Sequence, residues 1–526
     1  MSDRTLISRR RFLVGSALAV AGGVIAACGP SPSPSPTPTP AQEAAAAPAA
    51  AATPCPKGEI CIRDTPVKLP TEPVTFRWLD SGDTKAEFWK AFFPKYMEAH
   101  PNITVQYDGL PWNEIAKIVP LGIQNGNLHD AFSIPQGITS AQAYAEGWIR
   151  PLDDLIPDLE EVKARFPAGS FVEGINVFEG KTYCLPPTSN KRTSTMLLYN
   201  TVYLEQAGYD PASQQMTWED YRAAAKKVTE QGKGQYYGVI IGGNQLNRWG
   251  AVVGDLARFA GAASLDDIDL RTGEYAYDSD EYIAAMELLL AIRDDGSFFP
   301  GYLSINAPQA RALIAQGAAG MILQGLWCLP QWKRENPDFK YGVAHQPVVD
   351  PTNVYPLHVS FAGANMMWIY AKSPHPEVAA DIFYWWTSLE GQYAWNKVAG
   401  VSDPGILPEA METASTDPTD LRALQLQNDM IRIGPSPLIR NPEVAKVMME
   451  MKAITPNFNE VIQGLMAGEL TDVKKEFKAL KDRAEAELDR AIKAAQQKGA
   501  KVSRDDWVFP NWDPMKDYVE SDYQAL

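Results

Sequence analysis

The chain of 526 residues reads as an α/β protein with more than one domain. Two observations carry this. Short β-branched and aromatic runs alternate with helical apolar periods, the mark of strands joined by crossover helices. The alternation starts at residue 74 and restarts near residue 181, so two α/β halves follow one another. Composition agrees, since 45% hydrophobic and 21% charged residues are ordinary for a soluble globular protein.

The first half opens with a β-rich run at 74–79 and the turn Asp80-Ser81-Gly82-Asp83. Ala86, Phe88, Trp89, Phe92, Phe93 and Tyr96 then recur at helical spacing up to the His100-Pro101 stop, and 103–107 returns to strand. A helical run with Trp112, Ile115, Ile118 and Leu121 precedes a turn at Gly126 and a short strand ending near Ile134. The second half has β-like runs at 181–185 and 195–199, and a helix over 211–228 carrying the capping box Thr217-Trp218-Glu219-Asp220. A strand at 236–241, a helix at 251–260 and a longer helix at 279–294 follow. Residues 310–332 predict a helix to Gln316, a break at 317–320, a strand at 321–324, a bend at Gly325, and Trp327 at the carboxyl end of that strand. In open α/β sheets ligands bind at that end. Strands at 339–344 and 365–371, an aromatic helix at 376–398, helices at 441–451 and 472–497, and an aromatic tail at 506–526 complete the chain. The tail is expected to pack on the body.

Ahead of these elements lies an address. Ser8-Arg9-Arg10-Arg11-Phe12-Leu13 has the twin-arginine export pattern, and the apolar run at 13–27 is short for a bilayer span. Ile25-Ala26-Ala27-Cys28 resembles the bacterial lipobox, which makes Cys28 the expected lipidation site; an uncleaved anchor helix is the alternative. Loss of residues 1–27 removes four arginines and one aspartate, taking the formal charge from −16 to −16 − 3 = −19. Proline with Ser and Thr at 30–40, then alanine, reads as a tether over 28–70. Cys55 and Cys61 could form a disulfide, whereas Cys184 and Cys328 read as unpaired core residues.

Charge and motifs narrow the chemistry. A net charge of −16 argues against a nucleic-acid partner. Dinucleotide, nucleophile-elbow and zinc-protease motifs are missing from the sequence. The acidic turn around Asp267 and Asp269 fails calcium-loop spacing, and five residues separate the glycines of GINVFEGKT instead of the four of a phosphate loop. No cofactor or metal is expected. Aromatic and polar residues near predicted strand ends, Trp112, Trp249 and Trp327 with Asp80, Asp130, Asn244, Asn247 and Arg248, suit a sugar. Rings stack on its C–H face while amides, carboxylates and arginine take its hydroxyls.

Gln316-Gly317-Ala318-Ala319-Gly320-Met321, Gly325-Leu326-Trp327, Leu198-Tyr199-Asn200, Gln206-Ala207-Gly208, Met216-Thr217-Trp218-Glu219-Asp220, 126–132 and Tyr341-Gly342-Val343-Ala344 stand in an order that resembles the carbohydrate-specific (family 1) extracellular solute-binding proteins of ABC importers. The resemblance covers roughly 73–493. It implies a two-lobe periplasmic-binding-protein-like fold with hinge crossovers near 191–195, 363–368 and 399–403, and a ligand cleft between the lobes. It assigns 71–190 with about 335–365 to the N-terminal lobe, 191–334 with about 366–500 to the C-terminal lobe, and leaves 501–526 as an extension. It further implies a monomeric, lipid-anchored receptor outside the cytoplasmic membrane that passes a sugar or oligosaccharide to permease subunits, without being an enzyme. The expected ligand residues are Trp327, Trp249, Asp130, Asp80, Ser81, Asn244, Arg248, Arg192, Trp112 and Gly363. Arg192-Thr193-Ser194 falls where the maltodextrin binder has an acidic ligand residue, which could favour an acidic or differently substituted sugar. A receptor for a polyol, phosphodiester or peptide, and a secreted glycoside hydrolase, are the alternatives.

Overall fold

The period-two pattern of Val74–Ser81 (β1) buries Phe76 and Trp78 in a core that the aromatic face of the Lys85–Ala99 helix (α1) completes. The structure, a computed structural model, describes residues 55–360 and 362–526. The expected export signal, the expected lipidation site Cys28 and the Pro/Ala-rich segment before residue 55 lie outside the described residues.

β1 pairs in parallel with Ile103–Leu110 (β2) on one side and with Ala131–Phe132 (β3) on the other. Trp368–Ile369 adds an antiparallel edge to β3. This four-stranded sheet is the frame of the first lobe. Between β2 and β3 runs the Trp112–Asn125 helix (α2), which ends at Gly126 with φ 69°, a left-handed cap that glycine reaches without strain. The second lobe has its own four-stranded sheet, ordered Tyr341–Ala344, Met196–Asn200, Ala319–Gln324, Tyr237–Val239. Its pairing is mixed: Met196–Asn200 runs antiparallel to both neighbours, and Ala319–Gln324 is parallel to Tyr237–Val239.

Three chain segments pass between the lobes and meet in one patch. Thr188–Ser189 pairs antiparallel with Gly363–Ala364, and Thr188 also bridges to Gly405. A Cβ on Gly363 would stand 2.4 Å from the Pro186 side chain and 2.6 Å from the Thr188 carbonyl, so close strand approach requires glycine there.

Three boundaries differ from expectation. Tyr341–Ala344, assigned to the first lobe, hydrogen-bonds along Met196–Asn200 in the second sheet. Conversely, the Pro376–Trp386 and Leu389–Ala399 helices, assigned to the second lobe, belong to the first, where Phe383, Trp386 and Trp395 pack on Trp78, Phe88 and Trp89. The helical aromatic stripe finds its complement on α1. Finally, residues 55–70, assigned to the tether, already belong to the folded body. Ile60 and Val67 enter the first core, Trp385 donates to the Cys61 carbonyl at 2.9 Å, and Cys55 and Cys61 form a disulfide. Cys184 and Cys328 are buried and free, and burial pushes the Cys328 thiol up to about 12.

The C-terminal extension is structural. Trp507, Phe509, Trp512 and Tyr518 are buried against the Val473–Gln497 helix and its neighbours, and backbone bonds tie Phe509 to Leu270 and Tyr518 to Ile433.

Candidate functional site

A cleft of about 520 Å³ opens between the lobes. The first lobe supplies the turn after β1, from Ser81 to Lys85, and the start of α2 with Trp112 and Asn113. The second supplies Arg192, Ser194, Asn247, Arg248, Arg311 and Trp327, while Asn365 and Asp403 enter from the crossing segments.

Trp327 is placed by local sequence. The Ala307–Ala315 helix is opened by an Asn306 capping box and stopped at Gly317, whose φ of 88° reverses the chain into Ala319–Gln324. A Cβ on Gly325 would stand 2.2 Å from the Trp327 ring, so the indole rests against that backbone and glycine is required there. Its Nε1 donates to Gln324 Oε1 at 3.3 Å, and the guanidiniums of Arg192 and Arg248 stand 5.4 and 5.7 Å from its ring centre. On the facing wall the Lys85 ammonium stands 5.5 Å from the Trp112 ring. Arg311 crosses the cleft to Asp83 at 2.7 Å, joining the lobes, and its Nε donates to Gln331.

Of the ten ligand residues expected from sequence, five line this cleft: Trp327, Arg248, Arg192, Trp112 and Ser81. The other five do other work. Asp80 is fully buried beneath the cleft, accepting from Lys85, Ser133, Trp89 and its neighbour's N–H; it orients Lys85. Asp130 accepts from Arg77 N–H and Ser373, tying the sheet to a loop. Trp249 is core, donating to the Gly243 carbonyl at 3.0 Å, because its helix Asn247–Phe259 turns Arg248 rather than Trp249 to the cleft. Asn244 holds a surface turn through Ser304 and Ile305, and Gly363 serves the crossing strands. Sequence reasoning missed Asp83 and Arg311, which lie inside the turn and the helix it had already marked, and it gave Asp403 only as the end of the 399–403 crossing, not as a cleft residue.

A second cavity of about 710 Å³ shares Ser194 and Asn247 with the cleft and is bordered by Tyr275, Tyr277, Phe458, Met448 and Met451. Among the described residues no group of three or more His, Cys, Asp or Glu is arranged to hold a metal ion, and no helix is long and apolar enough to cross a membrane.

A family model described as bacterial extracellular solute-binding protein matches residues 91–419, well over half of the chain. Proteins of Brucella abortus (strain 2308) and Brucella suis biovar 1 (strain 1330), both named as binding proteins, are 28% identical over 251 residues, which is 47% of this chain and 56% of each relative. The match therefore spans little more than half the length of these curated relatives. Among solved structures, an ABC transporter solute-binding protein of Thermotoga lettingae TMO bound with alpha-D-tagatose superposes with TM-score 0.59 at 19% identity, covering 80% of this chain and all of the other. Maltose-bound T. maritima MalE3 gives 0.59 at 16% identity, covering 78% and 99%. A solute-binding protein of Agrobacterium vitis S4 with D-mannitol gives 0.56 at 18% identity, covering 80% and 99%. They share the two-lobe fold, and the matched segment spans elements of both lobes and all three crossings. The chain belongs to the bacterial extracellular solute-binding proteins.

Proposed function

We propose that this protein captures a sugar or oligosaccharide in the cleft on Trp327 and delivers it to the permease of an ABC importer, held at the membrane by a lipid on Cys28. The observation that carries this reading is the partly exposed Trp327 ring in an inter-lobe cleft lined otherwise by amides, hydroxyls and charges that are paired except at Arg248. A pyranose offers an apolar face to the indole and hydroxyls to Asn247, Asn113, Asn365 and Gln136. The fold is shared with proteins solved with tagatose and maltose, which supports a sugar, and with one solved with D-mannitol, which keeps a polyol in the test. Delivery follows from closure. A ligand touching both lobes favours the closed form, and a thousandfold preference supplies about 4 kcal/mol.

No bond is broken in this reading. The cleft carboxylates Asp83, Asp403 and Glu335 are each committed to an arginine. The test is a thermal-melt screen of the protein against sugars, polyols, phosphate esters and peptides, since a ligand of the native state raises Tm. Carbohydrate should shift it. Shifts confined to peptides or phosphate esters would overturn the proposal.

A further inference from the structure

The charges of the cleft can be paired off one by one. Lys85 meets Asp80 at 2.7 Å, Arg311 meets Asp83 at 2.7 Å, Arg192 meets Asp403, and Arg334 meets Glu335 at 2.9 Å. One cation is left over. Arg248 is 4% exposed, makes no ion pair among the described residues, and donates only to the Ser194 carbonyl at 2.8 Å. Its Nε is buried without a partner. The carboxylate nearest by sequence, Asp255 on the same helix, already accepts from Thr195 at 2.6 Å and Arg258 at 3.0 Å. A buried guanidinium without a counter-anion is costly, and a native site seldom leaves one so unless something binds there. Burial also brings this guanidinium down to about 10 against the pull of Asp255, the direction expected of a cation short of negative charge.

From this residue we infer that the ligand is an acidic sugar whose ring lies on Trp327 and whose carboxylate is taken by Arg248, with Arg192 flanking. The inference rests on the proposed sugar reading of the same cleft. Geometry supports it, because both guanidiniums lie over the indole, 5.4 and 5.7 Å from its ring centre, within reach of a carboxylate on a sugar that contacts that ring. A planar carboxylate matches the guanidinium fork, and its single charge answers the single unpaired cation. A phosphate ester would bring more charge than one arginine offsets.

The experiment is calorimetric titration of the full chain with D-glucuronate, D-galacturonate and their dimers, the matching neutral sugars, and glucose 6-phosphate, each at low and high NaCl. At least one uronate should bind about tenfold or more tightly than its neutral counterpart. Because Arg248 is buried, salt should weaken the uronate only modestly and leave neutral sugars unmoved. Arg248→Gln should erase the preference; if that variant fails to fold, the uronate-against-neutral comparison in the unaltered protein decides. Equal or better binding of neutral sugars, or binding of the phosphate ester alone, would overturn the inference while leaving carbohydrate capture standing. Failure of every sugar, charged or neutral, in both this titration and the melt screen would sink the sugar reading and this inference with it.

Discussion

Trp327 and its two supports decide the cleft at the level of single residues. Trp327→Ala removes the stacking surface and should weaken sugar binding by roughly 1–2 kcal/mol, about tenfold in Kd. Because the ring is partly exposed, Tm of the free protein should fall only slightly; a large fall with unchanged affinity would make the residue core. Gly325→Ala should do similar damage from beneath, since the added methyl occupies the ring's position. Sequence alone brought Trp327 to attention through the glycine before it and the strand it follows. It could not separate Arg248 from Trp249, because adjacent helical residues point about 100° apart and a shift of one position exchanges core for cleft. Asp80 and Asp130 were found for a sound reason, their place at strand ends. Burial then turned both inward, where N–H and O–H donors of the first lobe satisfy them.

Two predictions belong to elements. The turn after β1 and the Ala307–Ala315 helix are joined by Asp83 and Arg311, the cross-lobe pair. Asp83→Asn removes the charge that balances a buried arginine, a loss of roughly 1.5–3 kcal/mol that falls on the closed arrangement. Ligand should bind more weakly, with the change mainly in dissociation rate; unaltered rates would show the pair to be incidental. The second concerns the C-terminal tail. His358 donates from Nε2 to the Pro514 carbonyl at 2.8 Å, packs edge-on to Trp512, and has its Nδ1 buried without a partner. Burial lowers it from 6.5 to about 4, so the folded state holds it neutral. The unfolded chain binds the extra proton first, and stability is therefore full above about 6.5 and lost as pH falls towards 4, by about 3 kcal/mol. Amide protection over 507–518, corrected for the intrinsic slowing of exchange in acid, should fall across that window. Constant protection would show that this contact does not hold the tail. Neither contact was legible in sequence, since each joins residues more than 150 positions apart. The capping boxes at Thr217 and Asn306 were of the opposite kind: Thr217 was read from three neighbouring residues, and Asn306 obeys the same local rule.

For the whole molecule, two α/β sheets and three crossings were readable because strand and helix periods are local and the motif order is distinctive. Which segment belonged to which lobe was not. Tyr341–Ala344 and the Pro376–Trp386 helix change sides relative to chain order, and only their partners, Met196–Asn200 and α1, reveal it. The account's central claim is that sugar is captured between these lobes on Trp327. A crystal structure of the protein with the carbohydrate that most raises its Tm tests this most directly. The account predicts the sugar ring against the Trp327 indole, with contacts to the Ser81–Lys85 turn of one lobe and to Arg248 of the other. Sugar seated instead in the cavity of Tyr275, Phe458 and Met451, with Trp327 untouched, would contradict it.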